Sequence, residues 1–363
     1  MLDHLLVEGF KSIRKLDLKL GPLNVMIGAN GAGKSNLISL FQLINRIIDR
    51  KVQVYIPQSG GPDPLLHFGK KHTNRIYLKL DFGRNSYELS LIPTQENTLV
   101  FVDELCSFQN EGYSSPFVVD MGSGHKESNL PAEAIKIPGR IADHVLQEMN
   151  SWKIYHFHDT GESAGMKGAG NINDNMRLNP DASNLAAFLY FLRETHNQHY
   201  QNIVDTVRLA APFFDDFILR PNPLNKELIQ VEWREKESDA YFNAHSLSDG
   251  TLRFICLAVL LMQPDLPSTI LLDEPELGLH PYAISLLAGM LQSASARTQV
   301  IVATQSVTLV NQFNLEDIIV VDRENKQSVF RHLDKKVIEN WMEEYSIGEL
   351  WEKNILGGRP AHE

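Results

Sequence analysis

The residues Gly28-Ala29-Asn30-Gly31-Ala32-Gly33-Lys34-Ser35 have the types and spacing of a phosphate-binding loop, G-x-x-x-x-G-K-[ST]. Its glycines let backbone N–H groups turn inward around an anion. The Lys34 ammonium would reach the β- and γ-phosphates, and the Ser35 hydroxyl would ligate Mg²⁺. A second chemical pair, Asp273 and Glu274, ends the apolar run Thr269-Ile270-Leu271-Leu272. Neighbouring strand residues point to opposite faces, so the two carboxylates have different work. Asp273 is placed to hold Mg²⁺ through its water, and Glu274 to polarise an attacking water as general base. The combined chemistry is hydrolysis of a nucleoside triphosphate. His156 and His158 would share one face of a strand, but spacing places no third ligand beside them, so core or cleft histidines are the plainer reading.

These residues need particular elements around them. Leu23-Asn24-Val25-Met26-Ile27 reads as a buried strand, and the residues after Ser35 are apolar at helical spacing to about Lys51. Residues 1–20 read as two short basic strands around Gly9. Residues 52–71 are rich in Pro and Gly and read as irregular. Alternation predicts antiparallel strands over 75–82 and 86–92 and a third over 99–102, and 103–135 give no periodic signal. A helix is expected after Pro138 and a strand ending near residues 155–159. Residues 160–182 read as a mobile loop, and helices are expected over 184–193 and 199–210. In the last third, helices over 251–262 and 281–293 alternate with strands at 269–273, 299–304 and 318–322, which implies a parallel sheet.

Composition bounds the rest. The chain has 363 residues, 43% of them apolar, and 34 basic against 45 acidic side chains give a net charge of −11. An acidic surface disfavours coating nucleic acid over its whole area but leaves room for a local basic patch. Two cysteines, Cys106 and Cys256, without a C-x-x-C spacing, offer neither a disulfide framework nor a zinc site. The N-terminus does not read as a signal peptide and no apolar run is long enough to span a bilayer, so a soluble cytoplasmic protein is expected.

Other segments carry a family resemblance. Leu247-Ser248-Asp249-Gly250-Thr251 resembles the signature loop of ABC-type ATPases, L-S-G-G-Q, and the residues from Asp273 to Pro281 resemble that family's Walker B and D-loop. Gln305, in Thr304-Gln305-Ser306, stands where the family's switch histidine ends the next strand. Asn30 within the phosphate loop and Phe10-Lys11-Ser12 resemble the SMC/RecF branch. The chain is similar to stand-alone bacterial ATPases of that branch (AAA_21-like), akin to the ATPase parts of OLD-type phage-defence systems.

The resemblance implies a P-loop α/β fold with an ABC-type head, a mixed sheet and an inserted antiparallel and helical lobe. Expected boundaries are 1–100 with 240–335 for the nucleotide-binding domain, 101–239 for the inserted lobe, and a helical tail over 336–363. It implies ATP with Mg²⁺, and catalysis by Glu274, Gln305 and Lys34. Nucleotide would be bound by Lys11, Ser12, Asn30, Gly31, Ala32, Gly33, Lys34, Ser35, Asn36, Ser248 and Gly250, and metal by Ser35 and Asp273. Asp249 and Thr251 depart from the signature pattern, and no clear glutamine fills the family's Q-loop, with Gln53, Gln58 and His67 as candidates. The family's logic further implies a homodimer around ATP and control of a separate effector such as a nuclease. DNA binding in repair, as in RecF, is the alternative use.

Overall fold

The computed structural model describes residues 1–110, 112–334, 336, 338, 341 and 343–358. The chain forms two units, Met1–Trp152 with Asn314–Glu363, and Lys153–Phe313.

In the first unit a six-stranded antiparallel sheet runs in the order Ile13–Lys19, His4–Phe10, Ile76–Phe82, Asn85–Pro93, Leu99–Phe108, Phe117–Asp120. Strict alternation makes Ile76–Phe82 legible, since every second side chain is buried. Val7 stands opposite Leu16 on one neighbour and Leu78 on the other. A further set of strands carries the phosphate loop. Leu23–Ile27 is buried at all five positions and lies parallel to Ile318–Glu324, with Val25 opposite Ile318 and Ile27 opposite Val320. Gln327–His332 then pairs antiparallel with Ile318–Glu324. Buried faces on both sides explain a run that is apolar except at Asn24.

Three stretches of this unit differ from the sequence reading. Residues 52–58 form a helix, Val52–Gln58, and are not irregular. Its first two N–H groups are capped by the Glu127 carboxylate, at 2.9 Å each. The third strand extends to Phe108, and residues 103–135 hold the strand Phe117–Asp120 and the helix Leu130–Lys136. Fully buried Glu104 organises this stretch. It accepts from Tyr87 Oη at 2.6 Å, Ser128 Oγ at 2.5 Å and the Asn129 N–H at 2.8 Å, and His125 Nε2 lies 2.8 Å away. Of the tail expected over 336–363, Ile347–Glu352 is a helix with a Ser346/Glu349 capping box. Residues 337, 339, 340, 342 and 359–363 lie outside the described residues.

The second unit pairs Thr269–Asp273 in parallel with Gln299–Thr304, placing Asp273 opposite Ala303. The helix Asp249–Met262 packs against Asn197–Ala210 and Pro281–Ser295. Every residue from Leu252 to Leu261 in it is buried, and all but Arg253 are apolar, as befits a core helix. Residues 160–182, expected as a mobile loop, are tied down. Gly170–Asn171 pairs with Leu228–Ile229, and Met166 is buried with its Sδ 3.8 Å from Cys256 Sγ. The strand Trp152–Tyr155 ends before His156 and His158, so the shared strand face expected for them does not exist.

Candidate phosphate-loop and carboxylate site

Built from the first unit, the loop depends on glycine at Gly28, where a Cβ would collide with the Val321 carbonyl oxygen, and at Gly33. Gly33 has φ +121°, and a Cβ there would collide with Ser328 Oγ. Gly31 is also at positive φ, +80°. These conformations suit a loop that wraps its backbone round a bound group. The buried Lys34 ammonium is anchored on the loop's own carbonyls, Gly28 O at 2.5 Å and Ala29 O at 3.2 Å. Lys34 opens the helix Lys34–Ile48, whose N-terminal dipole favours an anion.

A hydroxyl network braces the loop from the neighbouring strand. Ser328 Oγ donates to Ala32 O at 2.5 Å and lies 2.6 Å from Ser12 Oγ, which accepts from Asn36 Nδ2 at 2.6 Å. Thus Ser12, Ala32, Gly33, Lys34 and Asn36 meet in one place, and Ser328 joins them without any signal in the sequence. Lys11 has φ +47° and is half-buried, which lowers the pKa of its ammonium. With Asn36, Phe68, Lys70, Lys71 and His72 it lines a cavity of about 910 Å³. Two of the Q-loop candidates have partners in this unit. The Gln53 amide donates to Leu99 O and Lys126 O, and His67 Nδ1 lies 2.8 Å from Lys11 O.

In the second unit the carboxylate strand ends in a strained turn. Glu274 has φ +41°, uncommon for a residue with a side chain. Its N–H donates to Ala303 O at 2.7 Å, which extends the ladder by one residue. Gln305 Nε2 donates to Glu274 Oε1. Glu274 and Gln305 are therefore brought together, and a hydrogen of the same amide remains for another acceptor.

Two residues on, Glu276 is buried, and Thr304 Oγ1 donates to its Oε1 at 2.5 Å. The backbone N–H of Gln305 also faces this carboxylate, and burial pushes its pKa up. Glu276 Oε2 is buried without a hydrogen-bond partner among the described residues. The sequence named Glu276 only as part of a motif.

The same turn supports the signature-like segment. A Cβ on Gly250 would collide with Gly278 O, so only glycine permits this approach. Arg253 donates to Leu277 O and to Phe157 O, the latter at 3.0 Å. Ser248 caps the helix Asp249–Met262, its Oγ accepting from the Thr251 N–H at 3.2 Å. Asp249, the departure from the signature pattern, lies 3.6 Å from the Lys167 ammonium. Among the described residues no cluster of three or more His, Cys, Asp or Glu could hold a metal ion by itself. No helix among them is long and apolar enough to cross a membrane.

The chain is 22% identical to the OLD nuclease of Thermus scotoductus (strain ATCC 700910 / SA-01), over 96% of this chain and 68% of that protein. It is 34% identical to the DNA replication and repair protein RecF of Paenarthrobacter aurescens (strain TC1) over 91 residues, 25% of this chain and 21% of that one. Its fold is similar to an SMC head crystallised with the C-terminal winged-helix domain of ScpA, with a TM-score of 0.57, 16% identity, and 94% and 99% of the two chains covered. It is also similar to an SMC head with an extended coiled coil bound to the C-terminal domain of ScpA from Pyrococcus furiosus, with a TM-score of 0.53, 14% identity, and 94% and 98% covered. A family model described as "AAA domain, putative AbiEii toxin, Type IV TA system" matches residues 23–311. The chain belongs to this family, AAA_21, with the fold of an ABC-type, SMC/RecF-like ATPase head.

Proposed function

We propose that this protein binds and hydrolyses ATP with Mg²⁺, dimerises around the nucleotide, and uses that cycle to control a separate effector, a nuclease, in anti-phage defence. The observation that carries the reading is the similarity to an OLD nuclease along 96% of the chain, with the phosphate-loop and carboxylate motifs both present.

The glycine cradle at Gly33 leaves no room for a side chain, and the loop opens onto a helix N-terminus, so its shape and polarity suit a triphosphate. Lys34 and the N–H groups of residues 30–36 would hold the phosphates, with Lys11 and Ser12 beside them. Ser35 and Asp273 supply the oxygen donors that Mg²⁺ prefers. Bound Mg²⁺ would neutralise charge on the phosphate oxygens. Glu274 takes the proton from the attacking water. Gln305 holds the Glu274 carboxylate and offers its other amide hydrogen to the γ-phosphate.

Ser248 and Gly250 open a helix whose N-terminus would meet the γ-phosphate bound by a second copy, which gives a twofold-symmetric dimer. The test combines three variants. Lys34→Ala should abolish hydrolysis and weaken ATP binding. Glu274→Gln should keep Mg-ATP binding, lose hydrolysis and accumulate as a dimer by light scattering. Ser248→Arg added to it should restore the nucleotide-free mass. Equal mass of Glu274→Gln with and without nucleotide, together with full hydrolysis in Ser248→Arg alone, would overturn the dimer. Purification from the native cell tests the effector, and a companion nuclease is the expected result.

The RecF similarity and the basic cluster Lys70, Lys71 and Arg75 favour a second reading, direct DNA binding in repair. Naked DNA retained with steep salt dependence would support it in place of the first.

A further inference from the structure

We propose that Glu276 is a positioning residue for the Glu274–Gln305 pair, acting through Thr304. This rests on the ATPase reading above.

Four observations converge on it. First, the pair joins the ends of two different elements, Glu274 after Thr269–Asp273 and Gln305 after Gln299–Thr304. An amide can hold a carboxylate in one place only if both chain ends are fixed. Second, Glu274 sits at φ +41°, a conformation that persists only where its surroundings over-determine it. Third, Glu276 spans the two ends. It belongs to the turn that follows Glu274, and it receives the Thr304 hydroxyl at 2.5 Å and faces the Gln305 backbone N–H. The Thr304 hydroxyl oxygen also accepts the Ser306 N–H at 3.0 Å, so one side chain fixes the backbone on both sides of Gln305. Fourth, Glu276 is buried, and its Oε2 has no hydrogen-bond partner among the described residues. Burying a carboxyl with one oxygen unsatisfied is costly, and an apolar residue would fill the space more stably. A costly buried acid beside a strained carboxylate is accounted for by the placement of Gln305, and shape alone gives no reason for it.

The turn has other supports, since Arg253 donates to Leu277 O and Gly250 abuts Gly278 O. Losing the Glu276–Thr304 link should therefore displace Gln305 slightly, and through it its hold on the Glu274 carboxylate, and leave the fold standing. Displacements near 1 Å at a reacting group cost on the order of a hundredfold in rate. Most of the phosphate contacts proposed above belong to the phosphate loop and not to Gln305, so ATP affinity should change little.

The experiment measures steady-state ATP hydrolysis and Tm for Thr304→Val, Thr304→Ser, Gln305→Ala and the Thr304→Val/Gln305→Ala pair. Valine keeps the shape of threonine and removes the donor. Thr304→Val should lower kcat by about ten- to a hundredfold with KM for ATP within about twofold, as expected when ground-state binding is untouched. Thr304→Ser, which keeps the hydroxyl, should restore kcat. In the Gln305→Ala background Thr304→Val should have no further effect, because the group it positions is gone. A merely structural hydroxyl would lower activity in both backgrounds alike. Glu276→Gln, which keeps an acceptor oxygen for both donors, should retain more activity than Glu276→Ala.

Parental kcat in Thr304→Val, or equal fold losses with and without Gln305, overturns the positioning role and leaves the ATPase reading intact. Absence from the parent of any hydrolysis sensitive to Lys34→Ala overturns the ATPase reading, and this inference with it.

Discussion

Ser328 shows how much of a phosphate loop is made by residues outside its motif. Its hydroxyl reaches Ala32 O and Ser12 Oγ, and it occupies the space where a Cβ of residue 33 would stand. A hydrogen bond of this kind contributes about 1 kcal/mol. Ser328→Ala is accordingly expected to weaken ATP binding by about fivefold, read by calorimetry, with Tm nearly unchanged. Gly33→Ala should abolish binding, since it must both clear Ser328 and hold φ +121°. Parental affinity in Ser328→Ala would show that the loop holds its shape unaided. Gly33 could be picked out from the sequence and Ser328 could not, because the first belongs to a local pattern and the second acts across 316 positions from Ser12. Glu276 and Thr304 are hidden for the same reason. Each lies in or beside a motif, but their mutual hydrogen bond is a fact of two strands meeting.

Among the elements, legibility follows burial. Ile76–Phe82 has one buried and one open face, and its alternation predicts it. Phe117–Asp120 buries neither face, with Phe117 and Val118 both about half exposed, so it leaves no period to read. The helix Val52–Gln58 buries only Val52 and Ile56, contains Pro57, and takes its cap from Glu127, 75 positions away. No local signal could announce it.

The start of the strand His4–Phe10 offers a pH test. His4 bridges Asp17, at 2.7 Å, and Asp81, at 3.0 Å. The hydrogen bond to Asp17 is the largest cause raising its pKa, and the bond to Asp81 adds to it. Asp17 is held below the usual carboxylate value by the same bond. A raised histidine stabilises the fold fully below its unfolded value, about 6.5, and that contribution fades as pH rises through the folded value. A lowered aspartate acts oppositely and loses its contribution only as pH falls below the ordinary carboxylate range. The Tm of the parent should thus fall between pH 6 and 8 more than that of Asp17→Asn. Parallel curves would remove this triad from the pH response.

At the scale of the molecule, the two units divide the chemistry, with the phosphate loop in one and the carboxylate strand with the signature-like segment in the other. The α/β class, the phosphate-loop strand and the strands at 269–273 and 299–304 were all legible, because parallel pairing buries whole runs of Ile, Leu and Val. The part played by the tail was not. Asp322, in the strand beside the loop strand, accepts the Gly358 N–H at 2.6 Å and an Arg331 guanidinium N–H at 2.5 Å. A Cβ on Gly358 would stand 3.3 Å from Gly28 Cα, so the tail runs against the first glycine of the loop. Asp322→Ala should speed amide hydrogen exchange over residues 23–31 and loosen ATP binding. Unchanged exchange there would mean that the tail merely rests on the loop.

The pairing of Leu23–Ile27 with Ile318–Glu324 also governs how this protein is made. The loop strand leaves the ribosome early, and its parallel neighbour follows roughly 300 residues later, a wait of about 15 to 60 seconds at usual elongation rates. All of Lys153–Phe313 is synthesised before that neighbour exists. For that interval a mostly apolar strand, destined for burial, lacks this partner and invites foreign pairing. The demand this places on chaperones falls on the nascent phosphate-loop segment, and it should grow wherever translation slows before residue 318.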